Sequence, residues 1–450
     1  MVSVTFYGGV NEIGGNKFLL ESENTRIFLD FGKNFAKEKL FFEEPYIKAR
    51  EESHLLNLGI LPAIKGLYKN DPENYELDGV LISHPHVDHY DAIRFIKDDF
   101  PIYCGEDTKS VLLAREFSSQ SIGLGYEVAK LTSKSEEIFK EFHTFSSSQI
   151  NEIGDLKFEA YSIDHSVPGS YGFIIETSGG NLVYTGDFRL HGSKGSKTLE
   201  FVEMAKESEP EILFIEGTHL CECKPSSEDE VKQKVSQIVS YTNELVLAGF
   251  ATADVDRMKT FYEVAEECGR KLAISTKQAY IIHKLFEHEE LELFSLNDPN
   301  VLIFQKEKKS YRQYEKELQK EYENIVNATD ISPIQKEVIL VASLYDMNEV
   351  AKIKPNPGSS YILSQSEPFD EEMEIHYDKL LNWLSYLGIP LYQAHASGHA
   401  TPHEIKWVIG EISPKKVVPI HTERPELFER YVSDLDIEVV LPKEGGKFEF

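Results

Sequence analysis

The sequence predicts an α/β protein in which one domain, carrying metal-ligand side chains, is interrupted by a second, doubly wound α/β domain. Three observations lead there. Short apolar segments repeatedly run into His, Asp or Glu, as Val80-Leu81-Ile82 does before His84 and Asn181–Thr185 before Asp187. Between residues 221 and 386 strand-like and helix-like segments alternate regularly, and that block is poor in such residues. Beyond it they resume at His395, His399 and His421. The expected divisions are residues 1–220, an inserted 221–386 and a returning 387–450, long enough for two cores.

In chain order, Val2–Tyr7, Lys17–Glu21 and Arg26–Asp30 read as short strands. The glycines from Gly8 to Gly15 fit neither the dinucleotide nor the phosphate-loop spacing, so a turn is expected there. Residues 36–77 read as an irregular charged excursion. After the His84–His89 cluster come helix Asp91–Lys97, strand Ile102–Cys104 and helix Thr108–Phe117. Strands Leu156–Ile163, Tyr171–Glu176, Asn181–Thr185 and Glu211–Ile215 follow, and three of them lead into His165, Asp187 and Glu216.

Within the insert, strands Leu245–Leu247, Lys271–Ile274, Val301–Phe304, Val338–Val341 and Tyr361–Leu363 alternate with helices, the pattern of a parallel doubly wound sheet. One of those helices, Lys306–Glu323, interleaves Lys306, Lys308 and Arg312 with Glu307, Glu315 and Glu317, which reads as a solvated surface helix. A helix from Pro402 and strand Lys416–Ile420 close the series at His421.

Composition narrows the classes. Hydrophobic residues at 41% and aromatics at 11% exclude a largely disordered chain. No apolar run has the length of a membrane span, and Met1-Val2-Ser3-Val4 opens directly into a strand rather than a secretory leader. Four cysteines suit a reduced interior, so a cytoplasmic protein with ordinary thiols, Cys221-x-Cys223 included, is expected. A net charge of −29, from 47 basic and 76 acidic residues, argues against indiscriminate nucleic-acid binding.

The chemistry gathers at His84-Pro85-His86-Val87-Asp88-His89, where three imidazoles and a carboxylate stand within six residues of a chain holding 15 histidines. Neutral imidazoles with carboxylates are ligands for zinc-like ions, and a strand end holds them rigidly beside solvent. One such cluster cannot close two metal shells, so further ligands are expected downstream. Asp30, emerging from Ile27-Phe28-Leu29, is expected to orient a ligand.

The order His-x-His-x-Asp-His, distant His, distant Asp, late His resembles the metallo-β-lactamase superfamily. The insert, Glu216-Gly217-Thr218, Ser397-Gly398-His399 and Pro419-Ile420-His421 resemble its β-CASP branch of nucleases. Gly9-Val10-Asn11-Glu12-Ile13-Gly14-Gly15-Asn16 and His395-Ala396-Ser397-Gly398-His399-Ala400 are similar to RNase J-type enzymes, in their shorter archaeal form. The resemblance implies an αββα sandwich with an inserted β-CASP domain. It implies two divalent ions, Zn²⁺ or else Mn²⁺, with His84, His86 and His165 on one, Asp88, His89 and His421 on the other and Asp187 bridging.

It further implies that His399, kept protonated by Glu216, acts as general acid, and that His395, Ser397 and Gly398 bind phosphate oxygens. The implied reaction is 5′→3′ exonucleolytic hydrolysis of single-stranded RNA, leaving 5′-phosphate and 3′-hydroxyl ends; a homodimer is one assembly it allows. Asp254 and Asp256 stand where the family's 5′-phosphate pocket carries neutral or cationic residues, so a terminal phosphate is expected to be repelled there. Two alternatives remain: an endoribonuclease like pre-mRNA 3′-end cleavage factors, and a small-ester metallohydrolase, which would need neither the insert nor His399.

Overall fold

Side-chain alternation explains the first unit. Along strands Lys17–Ser22 and Thr25–Phe31, Phe18, Leu20, Ile27 and Leu29 enter one apolar core, while Leu19, Phe28 and Phe31 enter another. Strand Ile212–Glu216 does the same: Ile212 and Phe214 join the first core, Leu213 and Ile215 a third. A strand apolar on both faces must be covered on both. The first core therefore fills the space between two seven-stranded sheets, and the other two lie outside them. Helices Gly195–Glu207 and Pro402–Ile412 supply Phe201, Ile405 and Val408 to the outer core on the second sheet. This is the αββα sandwich.

The computed structural model describes residues 2–43, 47, 51–118, 140–221, 226–366 and 371–450; Cys223 lies outside them. The chain divides into two units: Met1–Leu190 with Lys194–Lys224 and Gly398–Phe450, and Pro225–Ser397 with His191–Ser193. In the first unit, one sheet runs Lys447–Glu449, Ser3–Gly8, Lys17–Ser22, Thr25–Phe31, Gly79–Leu81, Ile102–Gly105, Phe142–Phe145. Its partner runs Glu438–Val439, Lys416–Ile420, Ile212–Glu216, Gly180–Tyr184, Tyr171–Thr177, Leu156–Ser162, Ile150–Ile153.

The second unit holds one seven-stranded sheet, ordered Ile325–Val326, Val301–Phe304, Lys271–Ser275, Val338–Val341, Val246–Gly249, Ser360–Leu363, Leu391–Gln393. Every pairing in it is parallel, as the buried β-branched strands require. It extends to Ser397 because Leu391–Gln393 pairs with Tyr361–Leu363.

Two expectations are corrected. The helix expected over Lys306–Glu323 begins only at Gln313 and ends at Glu321. Glu315 caps that start by accepting from Arg312 N, and Lys306 is drawn instead to Asp346, 2.6 Å away. Tertiary ion pairing overrides local helix preference here. Residues 36–77, expected to be irregular, contain short helices Phe35–Glu38 and Glu52–Asn57.

Candidate metal centre

Most of the chemical side chains in the first unit sit where a strand stops, while Asp88 and His89 lie on the short helix Val87–Tyr90 and His399 just before helix Pro402–Ile412. Gly79–Leu81 ends just before Ser83 and His84; Thr25–Phe31 carries Asp30; Gly180–Tyr184 leads to Asp187; Ile212–Glu216 ends on Glu216; Lys416–Ile420 delivers His421. Three overlapping groups result, each with ligand atoms within 4.8 Å of one another: His84, His86, His165 and Asp187; Asp187, Glu216, His399 and His421; Asp88, His89 and His421. Asp187 belongs to two of them.

In the first group His86 Nδ1 lies 3.1 Å from His84 Nε2 and 3.0 Å from His165 Nε2. Burial disfavours charge on all three rings: it pushes His86 down to about 4 and holds His84 and His165 well below the ordinary histidine value. Asp187 Oδ2 stands 3.2 Å from His89 Nε2, 3.6 Å from His84 Nε2 and 3.7 Å from both His421 Nε2 and His399 Nδ1. Asp88 Oδ2 lies 3.1 Å from His421 Nε2.

The support behind these atoms is fixed. Asp30, fully buried, accepts from Ser83 N and Ser83 Oγ, both at 2.7 Å, and holds His89 Nδ1 at 2.6 Å. The Tyr184 hydroxyl also donates to it. Its φ of +57° turns the carboxylate back beneath the cluster, a conformation Asp tolerates better than most residues. Gly32 lets the backbones meet, since a Cβ there would fall 1.7 Å from the Asp88 carbonyl oxygen. Arg115 donates to Pro85 O at 2.8 Å and secures the loop.

At the other side, Glu216 is fully buried and lies 3.1 Å from His399 Nδ1 through Oε2. Burial opposes a charged His399, but Glu216, Asp187 and Asp88 outweigh it and raise the pKa to about 9. Cations bound beside it would pull that value back down.

Residues 67–232 match the beta-lactamase superfamily domain, and residues 391–442 match the Zn-dependent metallo-hydrolase RNA specificity domain. Ribonuclease J of Mycoplasma genitalium is 23% identical over 440 residues, covering 93% of this chain and 67% of its own length. Ribonuclease J of Thermus thermophilus is 23% identical over 438 residues, covering 94% of this chain and 68% of its own. The crystal structure of a protein of unknown function from Enterococcus faecalis aligns with a TM-score of 0.78 at 24% identity, covering 99% of both chains.

Residues 67–232 thus carry a beta-lactamase superfamily domain. Together these findings support a β-CASP metallo-hydrolase similar to ribonuclease J, and the chain spans about two thirds of the length of those two relatives.

For a metallo-β-lactamase centre the residues fit divalent ions. Asp187 Oδ1 is buried and has no hydrogen-bond partner, which is costly for a carboxylate unless a cation shares the site. Around it, imidazole nitrogens and carboxylate oxygens form an N/O donor set of the zinc or manganese kind.

All seven residues expected as ligands, with Glu216 and His399, fall within these groups, and Asp30 lies behind them. The Gly398 carbonyl accepts from His165 Nδ1, and a Cβ at Gly398 would come 2.7 Å from Ser166 Oγ. His395 and Ser397 belong to the second unit, where Ser397 O accepts from His191 Nε2 at 3.0 Å. Asp254 accepts from Arg257 N at 2.9 Å as the cap of helix Val255–Glu267.

Sequence reasoning missed three supporting residues. Ser83 Oγ lies 3.0 Å from His84 Nδ1, Asn16 Nδ2 is 2.9 Å from His89 Nε2, and Thr218 Oγ1 is 2.9 Å from His421 Nδ1 and 3.2 Å from His399 Nδ1. Asn16 and Thr218 stand at the ends of quoted motifs and Ser83 adjoins His84, but nothing in the sequence marked their roles.

Proposed function

We propose that the chain hydrolyses phosphodiester bonds of single-stranded RNA, releasing nucleotides 5′→3′ and leaving 5′-phosphate and 3′-hydroxyl ends. The observation that carries this reading is the meeting, in one unit, of two ligand groups that share Asp187 with a histidine clamped by a buried glutamate. A small ester needs no such acid, whereas a departing ribose 3′-oxygen gains from a proton as the bond breaks.

His84, His86 and His165 would hold one ion, and Asp88, His89 and His421 the other, with Asp187 between. Zinc suits this donor set first and manganese second. Bound there, the ions would supply Lewis-acid activation of water and of the phosphoryl group. The chain's own residues do the rest. Asp30 fixes the His89 tautomer by taking its Nδ1 proton in a hydrogen bond. Glu216 orients His399 through Nδ1, so the proton for the leaving oxygen is passed from Nε2 on the other side of the ring. A 5′→3′ direction and RNA as substrate rest on the likeness to ribonuclease J.

A time course on 5′-labelled single-stranded RNA with Zn²⁺ or Mn²⁺ tests the reading. Labelled mononucleotide from the first time points is expected. Early internal fragments without mononucleotide would replace exonuclease by endonuclease action. Rapid small-ester turnover without RNA cleavage would overturn the reading altogether.

A further inference from the structure

The second unit carries a cluster of cations that the catalytic reading does not use. Strands Val301–Phe304, Lys271–Ser275 and Val338–Val341 are consecutive parallel neighbours, so the segments that follow them emerge at one carboxyl edge of the sheet. In open α/β sheets that edge is where ligands bind. Here it presents Lys277 after the second strand in chain order, Lys306, Lys308 and Arg312 after the third, and Tyr345 and Asp346 after the fifth.

Two of the cations are positioned by carboxylates. Lys306 Nζ lies 2.6 Å from Asp346 Oδ1 and donates to Tyr345 O at 2.8 Å; Lys308 Nζ lies 2.7 Å from Glu315 Oε1. Lys277 differs. It is exposed in the first turn of helix Thr276–Leu285, where the helix dipole disfavours a positive charge, and no described residue forms an ion pair with it. Partial burial pulls its pKa below the ordinary lysine value, and Arg312, Lys306 and Lys308 pull it further, with Asp346 opposing. The four cations are therefore close enough to repel one another, in a chain whose net charge is −29. A local arrangement that works against stability is the mark of a binding surface.

An aromatic platform adjoins it. Tyr345 is 72% exposed, its carbonyl is bonded to Lys306, and its ring centroid lies 5.9 Å from that of exposed His376. Cations tracking a backbone beside an exposed ring suit a single strand, whose bases are unstacked and whose phosphates are accessible.

We infer that Lys277, Lys306, Lys308 and Arg312, with the exposed ring of Tyr345, form an accessory site for single-stranded RNA on the second unit. This rests on the ribonuclease reading, and it adds a place where the strand is gripped by residues other than those of the metal centre.

The test is equilibrium binding of a fluorescent 20-nucleotide single-stranded RNA to the full chain in EDTA, across a salt series. Removing one cation–phosphate pairing lowers the slope of log affinity against log salt by about 0.7 for a single strand. Lys277→Gln is expected to reduce the slope by about that amount, and Lys277→Glu by more. Tyr345→Ala is expected to weaken binding by about 5- to 150-fold with the slope unchanged, because stacking is uncharged. Far-UV circular dichroism like that of the unsubstituted chain confirms folding of each variant. If the unsubstituted chain cuts and binds RNA while all three variants bind with its slope and affinity, this inference fails alone. If the unsubstituted chain neither binds nor cuts RNA, the ribonuclease reading fails with it.

Discussion

Asp30→Asn isolates the role assigned to the carboxylate beneath the cluster. The substitution keeps size and shape, and asparagine tolerates the φ of +57° as aspartate does, so backbone strain does not enter. What changes is acceptor capacity. Oδ1 receives Ser83 N, while Oδ2 receives Ser83 Oγ and Tyr184 Oη and stands 2.6 Å from His89 Nδ1. An amide can present its oxygen to one side only, and the NH₂ then faces donors on the other. His89 is driven to carry its proton on Nε2, the atom 3.2 Å from Asp187 Oδ2, and the lone pair needed by a cation is no longer free. Loss of such a supporting partner typically weakens metal binding by about 10- to 100-fold, or about 1.4–2.7 kcal/mol. A buried unsatisfied donor lowers stability by a further 1–3 kcal/mol or about that. Zinc competition against a chromophoric chelator measures the first, and thermal melting of the metal-free chain the second. Unaltered zinc affinity in Asp30→Asn would refute the tautomer argument.

Other expectations rest on separate features. Lys17 is fully buried, and burial pulls its pKa from 10.5 to about 8, with Glu12 opposing. Below about pH 8 the lysine is charged in folded and unfolded chains alike and the full cost of burial is present. Between about pH 8 and 10.5 the folded chain releases the proton first, so stability relative to Lys17→Met rises with pH, by roughly 3 kcal/mol; a flat difference in urea melts across that window contradicts this. Gly32→Ala places a Cβ 1.7 Å from Asp88 O, where backbone cannot yield, so a melting loss at or above the top of the usual range of about 1–3 kcal/mol is expected, together with reduced metal content. Arg257→Leu strands buried Glu228, now 2.8 Å from the guanidinium, and is expected to cost about 3–5 kcal/mol in denaturant melts, largely recovered by adding Glu228→Leu.

The parts of the centre legible in the sequence were those whose signal is local. An apolar β-branched run that stops at histidines announces a strand end, and Val80-Leu81-Ile82 did so within a few residues. The second unit was legible because fully buried parallel strands read as plain apolar runs; Val301–Phe304 and Val338–Val341 fall where expected. Strands Phe142–Phe145 and Ile150–Ile153 gave no such signal, being edge strands with exposed His143, Thr144 and Glu152. Asn16 and Thr218 act across 73 and 203 residues of chain, a separation at which an amide or hydroxyl leaves no pattern. Lys306 to Arg312 has helical composition, yet the ion pair of Lys306 with distant Asp346, and that of Lys308 with Glu315 in the following helix, decide its path.

The central claim is that Asp187 joins two ion-holding groups whose loading drives RNA hydrolysis. Stripping the chain with a chelator and titrating Zn²⁺ or Mn²⁺ while following RNA cleavage tests it most directly. The account predicts no cleavage by the stripped chain and recovery that saturates at two equivalents per chain, with Asp187→Ala failing to recover. Cleavage by the stripped chain, or recovery by Asp187→Ala equal to that of the unsubstituted protein, would contradict it.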